Sequence, residues 1–162
     1  MERSFLYRIT LSRKSRDNGG ESVKEINDVF IIGIDSGYGN IKTANCCFPA
    51  SVAVYDTEPV FKDNLLVYDG RYYLIGEGHK EFLADKTKDI DYYVLALAGI
   101  ARELNIRKIT SGKVRIAAGL PLTWVSGQRN EFKDYLMQNR EVEFTFRGTQ
   151  YHVEIIGADV FP

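Results

Sequence analysis

The segment Gly33-Ile-Asp35-Ser36-Gly37-Tyr38-Gly39-Asn40-Ile41-Lys42-Thr43 gathers the residues of this chain whose types and spacing could do chemistry together. Two glycines two apart let a backbone turn sharply and aim several N–H groups at one anion, because no Cβ stands in the way. Lys42 lies just past the turn and could neutralise a terminal phosphate. Asp35, at the tip of the preceding apolar run, could hold a hydrated Mg²⁺, whose geometry favours one carboxylate plus waters. These residues outline a site for a nucleotide's phosphate tail, with an ordinary glycine-rich turn as the reading that spacing alone leaves open. Two rival phosphate motifs fail. A Walker A loop needs glycine directly before Lys-Thr, where Ile41 stands, and a dinucleotide fingerprint must open a helix, whereas Gly37-Tyr-Gly39 is followed by strand-like residues.

Other chemistry is thin. His79 and His152 have no metal-ligand spacing with Cys, Asp or Glu, so both are read as solvated or hydrogen-bonded. Cys46 and Cys47 are adjacent, which argues against a mutual disulfide, and both are read as structural thiols of which at most one enters the core. Ser36 lacks a histidine in a context that pairs with it and does not sit in a Gly-x-Ser-x-Gly elbow, so covalent catalysis is unsupported. Tyr72, Tyr73, Tyr92 and Tyr93 fall in a hairpin and a helix, where aromatic packing is the default.

The elements that must position the glycine segment read as follows. Val29 to Ile34 is a short β-branched run expected to be a buried strand, and Ile41 to Phe48 is its returning partner in a hairpin. Leu65 to Tyr68 and Arg71 to Ile75 flank Asp69-Gly70, a pair suited to a type I′ turn. Asp89 to Leu104 carries Ile90, Tyr93, Val94, Leu97, Ile100, Ala101 and Leu104 at helical spacing, with acids in the first turn. Lys113 to Ala118 returns to strand and stops at Gly119-Leu-Pro121, and a helix is expected from Ser126 to Gln138. A last hairpin alternates through Val142, Phe144 and Phe146, turns at Arg147-Gly148, and alternates again through Tyr151, Val153 and Ile155. This order predicts an α/β lobe of ribonuclease-H-like type, a mixed sheet with antiparallel hairpins and packing helices.

Composition bounds the partners. The 162 residues carry 21 Lys and Arg against 22 Asp and Glu, a formal net charge of -1, which argues against direct nucleic-acid binding driven by phosphate neutralisation. No apolar run approaches the roughly 20 residues of a membrane helix, so no membrane partner is expected, and the unpaired cysteines fit a reducing, cytoplasmic setting. Residues Met1 to Asp28 combine Ser-Arg-Lys-Ser-Arg with Asp-Asn-Gly-Gly and little periodicity, and are read as a mobile leader before a domain over 29–162.

From Ile32-Gly-Ile-Asp-Ser-Gly-Tyr-Gly-Asn-Ile-Lys-Thr-Ala-Asn45 through Phe48-Pro49, the chain resembles the first phosphate motif of the actin-like plasmid-segregation ATPases, the ParM/StbA family, especially its Gram-positive branch. Leu74-Ile-Gly-Glu-Gly78, Asp85-Lys-Thr87 before Asp91 to Ala98, and Ala118-Gly-Leu-Pro-Leu122 resemble that family in order and spacing. The resemblance implies two ribonuclease-H-like lobes closing on ATP and Mg²⁺, filament formation with further copies of the chain, and an adaptor protein linking filament to DNA. It implies that Asp35 organises hydrated Mg²⁺, that Ser36, Gly37, Tyr38, Gly39 and Asn40 form the loop holding the phosphates, and that Lys42 contacts them.

The family pattern continues past a proline into a polar, water-positioning residue and then a second lobe, whereas this sequence ends at Pro162. The expectation is therefore the N-terminal lobe of a larger ATPase, binding nucleotide weakly and hydrolysing little by itself. Two alternatives stand beside it: a non-hydrolysing interaction module built on the same lobe, and a metabolite kinase of the actin-like superfamily.

Overall fold

The structure, a computed structural model, describes residues 24–37, 39–78, 90–120 and 122–161. It opens with a hairpin, β1 (Lys24–Ile26) pairing antiparallel with β2 (Val29–Ser36). The turn between them puts Asn27 and Asp28 at φ 51° and 64°, a left-handed conformation that these two residue types tolerate best after glycine. β1 lies within the segment expected to be a leader, so among the described residues the sheet reaches back to Lys24, upstream of Val29.

The expected single strand from Ile41 to Phe48 is instead two short ones, β3 (Asn40–Lys42) and β4 (Cys47–Pro49), separated by a turn at Thr43 to Cys46. β5 (Val52–Tyr55), β6 (Leu65–Tyr68) and β7 (Arg71–Ile75) follow. Between β6 and β7, Asp69 (φ 49°) and Gly70 (φ 72°) supply the two positive angles that a type I′ turn demands. Helix α1 (Asp91–Ile106) leads to β8 (Ser111–Gly119), helix α2 (Leu122–Leu136), β9 (Glu141–Phe146) and β10 (Thr149–Phe161). α2 begins at Leu122, ahead of the expected Ser126.

These strands form one sheet in the order β4-β3-β2-β8-β10-β9-β6-β7-β5, with β1 beside β2. β2, β8 and β10 are mutually parallel, and the other pairings are antiparallel, giving the mixed α/β sheet that the sequence predicts. Both helices join the same core. Ile32 and Ile34 of β2, Val114 and Ile116 of β8, and Val153 and Ile155 of β10 are buried with α1, whose Gly99 lets it come close to Ile34. α1 is buried over more than one face, Leu95, Ala96 and Ala98 included. Phe132 and Leu136 of α2 enter this core, and the Tyr93 backbone N–H donates to the Tyr135 hydroxyl at 2.7 Å. Tyr73, Tyr92 and Tyr93 are core residues, as aromatic packing predicts.

On the opposite face Arg115 grips Asp159 with both donors of one edge, Nε to Oδ2 at 2.6 Å and Nη2 to Oδ1 at 3.1 Å. Gly157 sits between them, where the β8–β10 register shifts, and a Cβ there would stand 2.9 Å from Arg115 Nη1. The hydrogen bonds from Arg115 hold the Asp159 carboxyl below its usual range.

His152, on β10, is exposed and lies between two carboxylates, Nδ1 at 3.0 Å from Glu143 and Nε2 at 2.9 Å from Glu141. The hydrogen bond to Glu143 and then the bond and charge of Glu141 raise its pKa above the ordinary 6.5. A pKa raised on folding stabilises the fold fully below the unfolded value and loses that contribution as pH rises through the folded one. Stability is therefore expected to fall as pH climbs above about 6.5, the ordinary histidine value, and His152→Gln to flatten that fall. Urea unfolding midpoints at a series of pH values check this.

Candidate nucleotide-phosphate site

Register brings three strand ends together. Asp35 pairs with Gly119 and Gly119 with Phe161, so the carboxyl ends of β2, β8 and β10 stop at one level, and the Leu120 N–H donates to the Phe161 carbonyl at 2.8 Å. Parallel strands of an α/β sheet present ligands with this end, where the following loops and their free N–H groups gather.

β2 turns back into β3 through the glycine loop, with Asp35 opposite Lys42 and Ser36 opposite Ile41. Residues directly opposite in an antiparallel pair share a face. Asp35 and Lys42 are thus brought together on one face, while Ser36 and Ile41, 8% and 1% exposed, point into the core. The Ser36 side chain is therefore directed away from the face that carries Asp35 and Lys42. Tyr38 lies outside the described residues. Gly39 and Asn40 are exposed at the tip of the turn.

The two loop glycines do different things. A Cβ on Gly37 would meet the Asn40 carbonyl oxygen at 3.0 Å, so a side chain there would push the turn apart by a few tenths of an ångström. Nothing lies within 4 Å of a Cβ built on Gly39, which leaves its backbone open to an approaching group. The loop is tied at that point by the Ala50 N–H, which donates to the Gly39 carbonyl at 3.0 Å.

The far end of β3 is fixed by a residue that sequence reasoning missed. Glu103 of α1 is 1% exposed and accepts three hydrogen bonds from the turn after Lys42: from Thr43 Oγ1 at 2.5 Å and the Asn45 N–H at 2.8 Å on Oε1, and from Asn45 Nδ2 at 2.8 Å on Oε2. The turn is also closed by the Thr43 N–H donating to the Cys46 carbonyl at 2.8 Å. α1 reaches it because Gly99, one turn earlier, lets Thr43 Cγ2 come within 3.3 Å of where a Cβ would be. Neither cysteine enters the core: Cys46 is half-buried in this turn and Cys47 exposed on β4. Burial, followed by the nearby Glu103 charge, raises the Cys46 pKa and keeps the thiol protonated.

Residues 33–162 match the family described as "Actin like proteins N terminal domain". The chain belongs to that family. In fold, this actin-like domain is similar to apo pSK41 ParM (14% identity, TM-score 0.64, 83% of this chain on 49% of that one). It is likewise similar to an AlfA filament bound to AMPPNP (14%, 0.61, 81% on 53%) and to Bacillus thuringiensis ParM with AMPPNP (14%, 0.59, 82% on 45%). The chain thus spans about half the length of these structures. No curated protein matches it in sequence.

The actin-like domain has room for the groups its glycine loop suggests. A Cβ on Gly119 would lie 3.6 Å from Asp35 Oδ1, so the space beside this carboxylate stays open because β8 ends in glycine. A single carboxylate with free space fits a magnesium ion that keeps most of its water shell. Among the described residues no group of three His, Cys, Asp or Glu could hold a metal directly. Gly119 is the second residue that sequence reasoning passed over. Its signal was present in Ala118-Gly-Leu-Pro121, but only the β2–β8 register places it beside Asp35. A groove of about 520 Å³ between α2 and β10, lined by Arg129, Asn130, Lys133 and Asp159, takes no part in the glycine loop. Among the described residues no helix is long and apolar enough to cross a membrane.

Proposed function

We propose that this chain forms the N-terminal, phosphate-binding lobe of an actin-like ATPase that polymerises to segregate plasmid or mobile-element DNA, within the Gram-positive branch of the ParM/StbA proteins. Residues 29–162 make up this lobe and Met1 to Asp28 a leader, whose last residues from Lys24 on pair with β2. The observation that carries this reading is the Asp35–Lys42 pairing across a glycine turn at the carboxyl ends of three parallel strands, inside a chain of the actin-like family. Asp35 holds the water shell of Mg²⁺, the amides from Gly37 to Asn40, with Tyr38 between them, cradle the ATP phosphates, and Lys42 offsets their charge. The buried side chain of Ser36 restricts that residue to a backbone contribution. Bound Mg²⁺ supplies charge neutralisation for phosphoryl transfer, which depends on positioning and electrostatics. ATP hydrolysis belongs to the full two-lobed protein, whose partners are further copies in a filament and a DNA-bound adaptor. The near-neutral charge supports indirect rather than direct DNA contact.

The test is an amide NMR titration of the chain with ATP, with and without Mg²⁺, paired with sedimentation of the gene product in ATP. Shifts confined to Gly37–Lys42 and Gly119 are expected, and Asp35→Asn should weaken the Mg²⁺-dependent part about tenfold, or about 1.4 kcal/mol. Amides that stay still at millimolar Mg-ATP would sink the nucleotide reading. In that event the interaction-module reading gains, since among the described residues the outer edge of β5 has no partner strand and Val54 and Tyr55 are exposed.

A further inference from the structure

Two guanidinium groups converge on one neutral oxygen beneath the β6–β7 hairpin. Asn64 Oδ1 accepts from Arg102 Nη2 at 3.2 Å, from Arg147 Nε at 3.1 Å and from Arg147 Nη2 at 2.7 Å. Both cations are also held by aromatic rings. The Arg102 guanidinium carbon is 4.6 Å from the centre of Phe48 and 5.4 Å from that of Phe146, and the Arg147 carbon is 5.5 Å from Phe146. The Arg147 backbone is fixed by its N–H, which donates to the Leu65 carbonyl at 3.0 Å.

Other arginines of the same chain show what is missing. The Nε–Nη2 edge of Arg115 meets both oxygens of Asp159, and that of Arg140 meets Glu154. Arg147 presents the same edge to an amide that carries no charge, and Arg102 Nε is buried without any acceptor. Among the described residues neither Arg102 nor Arg147 has a carboxylate in ion-pair range. Glu103 is turned to Thr43 and Asn45. The Cys46 thiol, near enough to feel both guanidinium charges, is kept neutral by burial and by Glu103. Burial, and then the charge of Arg147, push the Arg102 pKa down, as expected for like charges held together without a counter-ion.

We propose that Arg102 and Arg147, with Asn64 between them, form a binding site for an oxyanion, a carboxylate or a phosphate group, separate from the glycine loop. Such a ligand gives each guanidinium an oxygen of its own and the negative charge that Asn64 lacks, the pairing in which charge-assisted bidentate bonds are strongest. The flanking rings Phe48 and Phe146 hold the two forks in place before the ligand arrives. The site is defined by its own contacts and does not depend on the nucleotide reading.

The experiment follows arginine Nε–Hε NMR signals of the whole chain during titration with sodium phosphate and, separately, sodium acetate, at constant ionic strength set by chloride. Saturable shifts of the Arg102 and Arg147 signals are expected with at least one of the two anions, and loss of those shifts in Arg147→Gln. The tighter anion identifies the source, a phosphate ligand or a carboxylate side chain of a partner. Asn64→Asp, which installs a carboxylate inside the site, should raise the melting temperature and abolish the titration. Signals that move no more than in chloride, an Arg147→Gln chain that titrates as the parent does, or an Asn64→Asp chain that melts lower would overturn the proposal.

Discussion

Replacing Glu103 by alanine is expected to cost about 3 kcal/mol of folding stability, whereas glutamine at the same position costs about 1 kcal/mol. The carboxylate is 1% exposed and gathers three donors from the turn at Thr43 to Asn45. Alanine removes the acceptor of the Thr43 hydroxyl, the Asn45 N–H and the Asn45 side-chain amide and opens a small cavity beneath α1, and together these losses amount to a few kcal/mol. Glutamine keeps one acceptor oxygen for Thr43 and the Asn45 N–H. Its new NH₂ is satisfied if the Asn45 amide turns over, so only the charge-assisted part of the bonds is lost. Urea unfolding of the two variants at constant m-value measures the difference. Equal losses for alanine and glutamine would mean that the charge of Glu103, not its packing or the number of its hydrogen bonds, holds the turn. Lys42 immediately precedes Thr43, so the alanine variant is also expected to broaden the amide signals of β3.

Gly119→Val is expected to weaken Mg²⁺-dependent nucleotide binding by at least about tenfold, roughly 1.4 kcal/mol, while the melting temperature stays close to that of the parent. A Cβ at this position makes ordinary contact with Asp35 Oδ1 at 3.6 Å, so alanine fits. The two methyl groups of valine extend further, into the space that the hydrated Mg²⁺ proposed beside the carboxylate would need. Valine suits an extended strand residue, which is why the fold should survive. Isothermal titration of Gly119→Ala and Gly119→Val with Mg-ATP separates the outcomes. Parent-like affinity in the valine variant would place the metal elsewhere than beside Asp35.

What the sequence made legible was local. The Asp69-Gly70 turn carries its own demand for positive φ, and β9 and β10 alternate so regularly that strand periodicity alone finds them. The glycine loop and its Asp35 and Lys42 stand close together in the chain, so their meeting needs only a hairpin. Ile41 to Phe48 was misread as one strand because its break is enforced by Glu103, a partner on a helix distant in sequence. Gly119 reads only as a strand stop until parallel register sets it against Asp35. Arg102, Arg147 and Asn64 come from α1, the β9–β10 turn and the approach to β6, and no spacing rule joins them. Ser36 is placed in the loop by adjacency, and strand alternation turns its side chain inward, which only the burial of its β2 neighbours Ile32 and Ile34 reveals.

The parallel pairing of β2 with β8 sets Val29 against Lys113, although β2 emerges early in synthesis and β8 late. The β6–β7 and β9–β10 hairpins, closed by two-residue turns, form on the microsecond scale of local structure, about 1–10 μs. β2 has no such neighbour on its β8 side, so Ile32 and Ile34 wait until α1 and β8 have left the ribosome, and the loop-closure entropy falls on that step. The edge of β2 that faces β8 is thus translated before its partner and stays unpaired until β8 arrives, while the glycine loop on the opposite edge closes locally.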